Sequence, residues 1–353
     1  MKALITAGGR GTRLRPITHT SNKHLIPIAN KPMIFYALEA VRDIGISEVG
    51  IIVNETRFEV EAVLGSGEDF DLNITYIEQE EPLGLAHCLK ISREFLEDEP
   101  FLFYLGDNIL AGGIAPYAKR FENEDAAALL LLSEVPDPGR FGVAETEGTQ
   151  IVGIEEKPKE PKSDFAVTGV YFYTPKVWEA VEQIEPSERG ELEISDVHQY
   201  LIEKNYPIIY ENVSGWWKDT GKPEDLLAAN HLVLRHLEEK MEGDLEDVEV
   251  RGCVAVGRGS KIRNTLLRGP LIIGKDVRVK DSYLGPYTAV SDRAVVVESE
   301  IENSIVLENA EVLNLPARLD ESIIGKEAFV SRGKRLPRTL RMVIGDQSQI
   351  DLV

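Results

Sequence analysis

Cysteine is nearly absent from this chain: Cys88 and Cys253 are the only two in 353 residues. That excludes a disulfide framework and a cysteine-based metal cluster, and a reducing cytoplasm is the simplest setting. No apolar run is long enough to span a bilayer. The N-terminus enters a strand almost at once, without the charged stretch and apolar core of a secretory leader. Positive charge is scarce, with 39 Lys and Arg against 60 Asp and Glu and a formal net charge of −21. Nucleic acid and anionic membranes reward clustered cations, so neither is expected as a partner. All six histidines (His19, His24, His87, His198, His231 and His236) precede residue 237.

What is present begins with residues 3 to 32. The apolar run Ala3, Leu4, Ile5 leads into Ala7-Gly8-Gly9-Arg10-Gly11-Thr12-Arg13, and Lys23 follows. Glycines at 8, 9 and 11 let backbone N–H groups approach an anion without Cβ interference, and a helix starting after the loop would add its partial positive charge. Arg13, Arg15 and Lys23 supply mobile cations. The dinucleotide fingerprint would need a glycine at Leu14, and the P-loop needs a Gly-Lys-Ser/Thr that is missing.

The length exceeds one average domain. Up to about residue 237, short apolar runs alternate with helical stretches. Ala3–Ile5, Val49–Val53, Ile74–Ile77, Phe101–Leu105 and Ala127–Leu132 read as strands, several apolar throughout. Met33–Ile44, Arg57–Leu64, Ala86–Leu96 and Leu226–Leu237 carry helical spacing. The alternation predicts an α/β fold with a doubly wound, mainly parallel, Rossmann-like sheet and ligands beyond the carboxyl ends of its strands.

Residues 238–247 are acidic and read as a hinge. From Val256 onward aliphatics recur about every six residues: Val256, Ile262, Leu267, Ile273, Val279, Leu284, Val290, Val296, Ile301, Leu307 and Leu313. That period predicts a left-handed parallel β-helix. The expected organisation is thus a catalytic domain over 1–240, a β-helix over 248–335 and a tail over 336–353.

Four further segments carry chemistry. In Tyr104-Leu105-Gly106-Asp107-Asn108 an acid ends an apolar strand. Asp107 there is placed to hold Mg²⁺ against substrate phosphates, or is simply a turn Asp before a helix or loop over Ile109–Gly113. Trp216-Trp217-Lys218-Asp219-Thr220-Gly221 offers a second acid. Two carboxylates on one hard cation and two unrelated surface acids are both compatible with that spacing. In Glu155-Glu156-Lys157-Pro158-Lys159, Lys157 reads as a point charge for a second phosphate or as part of a solvated run. Gln79 precedes the Pro82/Gly84 turn and could read a base edge through its amide, or belong to a plain loop into a helix.

Taken in order, GGRGTRLRP, Lys23, LGDN, EEKP, RGELEISD and WWKDTGK resemble the sugar-1-phosphate nucleotidylyltransferases, most closely the long-form glucose-1-phosphate thymidylyltransferases with an appended β-helix. The resemblance implies that Gly8, Gly9, Gly11, Thr12 and Arg13 wrap a nucleoside triphosphate, dTTP or UTP, and that Lys23 contacts its phosphates. It implies base contacts from Gln79 and Gly84, Mg²⁺ on Asp107 and Asp219, and a sugar-phosphate clamp at Lys157. Gly142, Glu156, Val167 and Thr168 would line the hexose pocket with Arg189 beside it, and Asn108 belongs with the substrate-binding residues.

The implied reaction is in-line attack of a sugar 1-phosphate on the α-phosphorus, releasing pyrophosphate. Leu83 stands where short-form relatives commonly carry an acid, which loosens inference about the base. A uridylyltransferase and a non-catalytic regulatory subunit of the same architecture are the alternatives. An acyltransferase role for the β-helix would want a histidine base, and the repeat has none. The β-helix is therefore expected to be an assembly or regulatory element; stacked prisms commonly pack as trimers, so a homo-oligomer is expected.

Overall fold

The computed structural model describes residues 1–9 and 11–332. The expected tail and the last residues of the expected repeat lie outside them. The chain divides into two compact units, one comprising Met1–Arg10, Ser21–Leu25 and Met33–Asp219, the other Gly11–Thr20, Ile26–Pro32 and Thr220–Val353. Among the described residues no helix is long and apolar enough to cross a membrane.

A nine-stranded sheet forms the first unit, in the order Asn73–Glu78, Glu48–Val53, Lys2–Thr6, Phe101–Leu105, Phe165–Tyr173, Ala128–Glu134, Ile208–Asn212, Gln150–Glu156 and Gly142–Glu147. Its apolar strands alternate between two cores. Ala3, Ile5, Leu102 and Tyr104 join one cluster, while Leu4, Phe101 and Phe103 join the other. Helices Met33–Asp43, Arg57–Leu64 and Ala115–Asn123 bury Leu38, Val60 and Phe121 in the first cluster; Leu85–Ile91, Val177–Gln183 and Ile194–Glu203 bury Leu89, Trp178 and Leu201 in the second. Each fully buried aliphatic contributes about 1.5–3 kcal/mol, so a sheet covered on both faces can afford continuous apolar strands.

The expected mainly parallel sheet is found in one half. Lys2–Thr6 runs parallel to Glu48–Val53 and to Phe101–Leu105, and Glu48–Val53 to Asn73–Glu78. Past Phe101–Leu105 directions mix, because Phe165–Tyr173 lies antiparallel to both of its main neighbours. It follows the hairpin Gly142–Glu147/Gln150–Glu156 with no crossover helix, and a parallel return would need one. The helix expected over Ala86–Leu96 is two pieces, Leu85–Ile91 and Arg93–Leu96. Between them the Ser92 hydroxyl donates back to the Cys88 carbonyl at 2.7 Å.

In the second unit, helix Pro223–Leu234 opens with Pro at its first turn and Glu224 and Asp225 behind it, as a helix start favours. Parallel strands then stack rung on rung. Ile262 pairs with Val279, Val279 with Val296 and Val296 with Val312, so successive rungs advance 17, 17 and 16 residues.

Two expectations are corrected here. The acidic stretch 238–247 is no hinge: Lys240–Met241 pairs with Ala255–Val256, and Asp244–Arg251 with Lys261–Arg268. Its charges alternate with Leu245 and Val248, which pack on the core, and charge suits a strand that begins a stack. The six-residue register also slips near its end. Val306 and Val312 fill the core, and Leu313 is only half-buried, because the rung reaching Val312 is one residue short.

Corners recur with the rungs: Asn264, Asp281 and Glu298 sit one rung apart, all with positive φ. Asn264 Nδ2 donates to Asp281 Oδ1 at 2.7 Å. Asn tolerates the left-handed region better than most residues, which places it at such bends. Buried Asn230 ties the helix to other parts of this unit. Its Oδ1 accepts from the Ala29 amide at 2.9 Å and its Nδ2 donates to the Tyr287 carbonyl at 3.0 Å. Beside it His231 stacks on Tyr287, ring centroids 4.1 Å apart.

Candidate active site

Strand Lys2–Thr6 delivers Gly8 and Gly9 beyond its carboxyl end. Side chains that the sequence reading did not single out hold the loop. Asn54 Nδ2 donates to the Gly8 carbonyl, and Asn22 Nδ2 to the Ala7 carbonyl at 2.7 Å. A Cβ on Gly9 would sit 2.8 Å from Lys23 Cε, so glycine here makes room for the lysine. Lys23 Nζ pairs with Asp107 Oδ2, both side chains largely buried.

Burial alone would raise the Asp107 carboxyl, but the Lys23 ammonium holds it below the usual carboxylate range. His24 beside them is pushed down to about 3 by burial and then by Lys23, and is neutral. Gly11, Thr12 and Arg13 cluster with the second unit. No α-helix follows the loop: Thr12–Leu14 is a single 3-10 turn after Gly11, whose φ is 59°. The anticipated helix-terminus charge is therefore absent, and with Pro16 so close the chain cannot wind on undisturbed.

The segment expected as a helix or loop after Asp107 is the strand Asn108–Leu110, which pairs antiparallel with Trp217–Asp219 and sets Asp219 opposite Asn108. Asp219, far from Asp107 in sequence, thereby lies opposite the residue next to it. Asn108 braces it: Nδ2 donates to Asp107 Oδ1 at 3.0 Å, while Oδ1 accepts from the Gly169 amide at 3.1 Å and Trp217 Nε1 at 2.6 Å. A Cβ on Gly169 would lie 2.7 Å from Asn108 Cγ. Tyr171 registers the convergence, for burial and then the carboxylates of Glu156, Asp107 and Asp219 all push its phenol up.

Around Glu156 the structure gathers further residues named from the sequence. Gly142 pairs with Glu156 across the hairpin, and a Cβ on Gly142 would lie 2.8 Å from Ser195 Oγ and 3.9 Å from Val167 Cβ. Ser195 Oγ donates to Glu156 Oε2 at 2.7 Å, Lys157 Nζ lies 2.8 Å from Oε1, and Arg189 Nη1 lies 3.8 Å from it. Arg189 is nearer to Glu193, at 3.2 Å. Thr168 is fully buried, and among the described residues its hydroxyl finds no protein partner. Ser195 was missed as a site residue although RGELEISD was read as a motif. A small hydroxyl in that motif is the only signal it offered.

Gln79 leaves strand Asn73–Glu78 with its amide donating to the Val53 carbonyl at 2.8 Å. Gly84, with φ 102°, passes so close to Leu192 that a Cβ would lie 2.4 Å from that residue's carbonyl oxygen. The Leu192 amide donates to the Leu83 carbonyl at 2.8 Å, and the Ala86 amide to the Leu192 carbonyl at 3.0 Å. The RGELEISD segment thus clasps the Gln79–Gly84 turn.

Residues 2–236 match the family described as nucleotidyl transferase. The chain is 46% identical to a glucose-1-phosphate thymidylyltransferase of Streptomyces griseus over 100% of its own length and 99% of the relative's. A putative glucose-1-phosphate thymidylyltransferase of Bacillus anthracis, solved with a sucrose, superposes with a TM-score of 0.64 at 40% identity, covering 68% of this chain and 98% of that one. A UDP-glucose pyrophosphorylase complexed with UDP-glucose superposes with a TM-score of 0.60 at 25% identity, covering 67% and 99%. The match across the α/β portion, together with full-length identity running through the stacked strands, settles the assignment: the chain belongs to the nucleotidyl transferase family, as a long-form sugar-1-phosphate nucleotidylyltransferase.

Proposed function

We propose that this chain is a glucose-1-phosphate thymidylyltransferase, joining dTTP and α-D-glucose 1-phosphate to give dTDP-glucose and pyrophosphate. The observation that supports the reading is the ladder Asn108–Leu110/Trp217–Asp219, which sets Asp219 opposite the residue that follows Asp107. Identity of 46% over the full length to a thymidylyltransferase, against 25% to the UDP-glucose enzyme, favours thymidine over uridine. Retention of Arg13, Lys23, Asp107, Lys157 and Asp219 together favours an enzyme over a non-catalytic subunit.

The sugar phosphate is already an anion and needs no covalent protein intermediate; the obstacle is repulsion between two anions. Gly8, Gly9, Gly11, Thr12 and Arg13, contiguous in one loop sequence, take the triphosphate. Lys23 exchanges its ion pair with Asp107 for phosphate oxygens. Lys157 and Arg189 serve the sugar phosphate, Gly142, Glu156, Val167 and Thr168 the hexose, Gln79 and Gly84 the base. Asn108 acts from behind, by holding Asp107. Holding the two reactants in line and compensating charge would then supply most of the rate.

The residues suit Mg²⁺. Among the described residues no group of three or more His, Cys, Asp or Glu side chains is gathered for a metal, which rules out an all-protein cage there. Two carboxylates, with phosphate oxygens and water completing the shell, are what a hard octahedral cation takes. Held by Asp107 and Asp219, such an ion would supply positive charge against the phosphates.

The stacked parallel strands, with aliphatics inward and a rung of about 17 residues, support a left-handed β-helix over 248–335 beside a catalytic domain over 1–240. A homo-oligomer built through that stack, acting in the cytoplasm, completes the proposal. Its test is pyrophosphate release from a matrix of dTTP, UTP, ATP and GTP against several sugar 1-phosphates. Turnover with dTTP and glucose 1-phosphate foremost is expected, and no turnover with any pair would establish the non-catalytic reading. Asp107→Asn and Asp219→Asn should each lose at least about 10²-fold in kcat, roughly 2.7 kcal/mol.

A further inference from the structure

The turn that carries Gln79 holds a histidine to which neither the sequence motifs nor the proposed reaction gives a task. Gln79 Nε2 lies 3.2 Å from the Gly84 carbonyl oxygen and 3.1 Å from His87 Nδ1. A carbonyl oxygen can only accept, so the atom facing it must be the amide nitrogen, and the usual ambiguity between the two ends of a glutamine is lifted. The Cys88 thiol also donates to that carbonyl, at 3.6 Å. Since the same NH₂ group meets His87 Nδ1, that ring nitrogen must be the acceptor, and the imidazole is neutral with its proton on Nε2. Burial and the nearby Lys90 lower the His87 pKa against the opposing pull of Glu81, in keeping with the neutral ring.

Both amide hydrogens are thus committed to protein. Gln79 is nine-tenths buried, the Cys88 thiol lies against its amide, and Oε1 is the end of that amide left over by the bonds to Gly84 and His87. Whatever this side chain reads, it reads as an acceptor.

We infer that His87 is a positioning residue: by accepting at Nδ1 it fixes the Gln79 amide so that only its carbonyl oxygen is offered to the base. The inference rests on the reading of Gln79 as a base contact. An acceptor facing ring position 3 of a pyrimidine selects an N–H there, which thymine and uracil have and cytosine lacks, presenting a lone pair at N3 instead. The device thus separates pyrimidine diones from cytosine and is blind to the methyl group that separates thymine from uracil. A side chain free to rotate would lose that discrimination, since the flipped amide offers a donor to cytosine N3.

The experiment measures kcat and KM for dTTP and dCTP in the full chain and in Gln79→Ala, His87→Leu and His87→Asn. Asparagine can place an oxygen acceptor near the position of Nδ1. His87→Leu should raise the dTTP KM about tenfold and narrow the preference for dTTP over dCTP by a similar factor, with kcat nearly unchanged; His87→Asn should restore both. If Gln79→Ala raises the dTTP KM and His87→Leu leaves both quantities at their wild-type values, the role of His87 is refuted while the base contact stands. If Gln79→Ala changes nothing, the base contact itself falls and the inference with it. In the wild-type chain, ¹⁵N shifts of labelled histidine should show His87 unprotonated at Nδ1; a proton there would overturn the assignment without any variant.

Discussion

His198 is buried against the second core of the sheet, stacked on Tyr173 and tilted against Tyr171, with Nε2 2.6 Å from the Tyr173 hydroxyl and Nδ1 without a partner among the described residues. Burial pushes its pKa down to about 3 from an ordinary 6.5. Because the folded pKa lies below the unfolded one, the unfolded chain takes up the proton first. The stability His198 allows is fully present above about pH 6.5 and drains away as the pH falls toward 3.

Integrating the difference in bound protons gives a loss from this one ring of about 2 kcal/mol by about pH 5 and roughly 3 kcal/mol by about pH 4. His198→Gln keeps a polar partner for Tyr173 and removes the titration. At neutral pH the variant should be less stable by about 1 kcal/mol, from lost ring packing. On acidification that deficit should vanish and then reverse, which urea melts of the two proteins at matched pH would record. Other titrating groups contribute equally to both chains, so the difference isolates His198. A deficit that stays constant from neutrality to pH near 5 would refute the reasoning.

Other perturbations test separate parts of the structure. Gly106→Ala places a Cβ 2.2 Å from the Thr6 carbonyl oxygen, between two parallel strands that cannot yield, and should cost at least about 3 kcal/mol in a denaturant melt. Asn230→Ala leaves the Ala29 amide and the Tyr287 carbonyl without their partner and should destabilise the second unit by about 1–3 kcal/mol, seen as a lower Tm. The register of the stacked strands is tested by a pair: Val312→Ala should cost about 2 kcal/mol and Leu313→Ala less than about 1, and equal costs would restore the six-residue spacing.

The parts of this architecture that the sequence announced are those whose signal is local. Phe101–Leu105 and Arg57–Leu64 were delimited to the residue, because an unbroken apolar run and an amphipathic turn each declare themselves within a few positions. The strands Gly142–Glu147, Gln150–Glu156 and Ile208–Asn212 were not anticipated. They mix polar and apolar residues, and their pairing is set by partners distant in the chain. The hinge reading of 238–247 failed for a related reason: acidic residues with one glycine look the same in a solvated linker and on the outer face of a terminal strand.

In the candidate site, Asp107, Asp219, Lys23, Glu156 and Gly84 announced themselves as residue types with a chemistry. What they touch did not. Nothing in the spacing says that Lys23 pairs with Asp107, that Asn108 is spent on bracing, or that Ser195 meets Glu156, since each contact joins elements brought together only by the finished sheet. Asn22 and Asn54 escaped notice, and Trp217 was legible only as part of its motif, because an amide or an indole hydrogen bond leaves no pattern in a sequence.

The position of Asp219 also sets an order of events during synthesis. The loop at Gly8, the lysine at 23 and the acid at 107 belong to a segment whose strands can pair once the first hundred or so residues have left the ribosome, roughly ten seconds into synthesis at the usual elongation rate. Strand Ile208–Asn212, which separates Ala128–Glu134 from the hairpin at Gln150, and the short strand that carries Asp219 emerge much later. A nascent chain therefore holds Lys23 and the first acid, paired with one another, well before it has the second. It can pair the parallel half of its sheet while still lacking half of its proposed metal site.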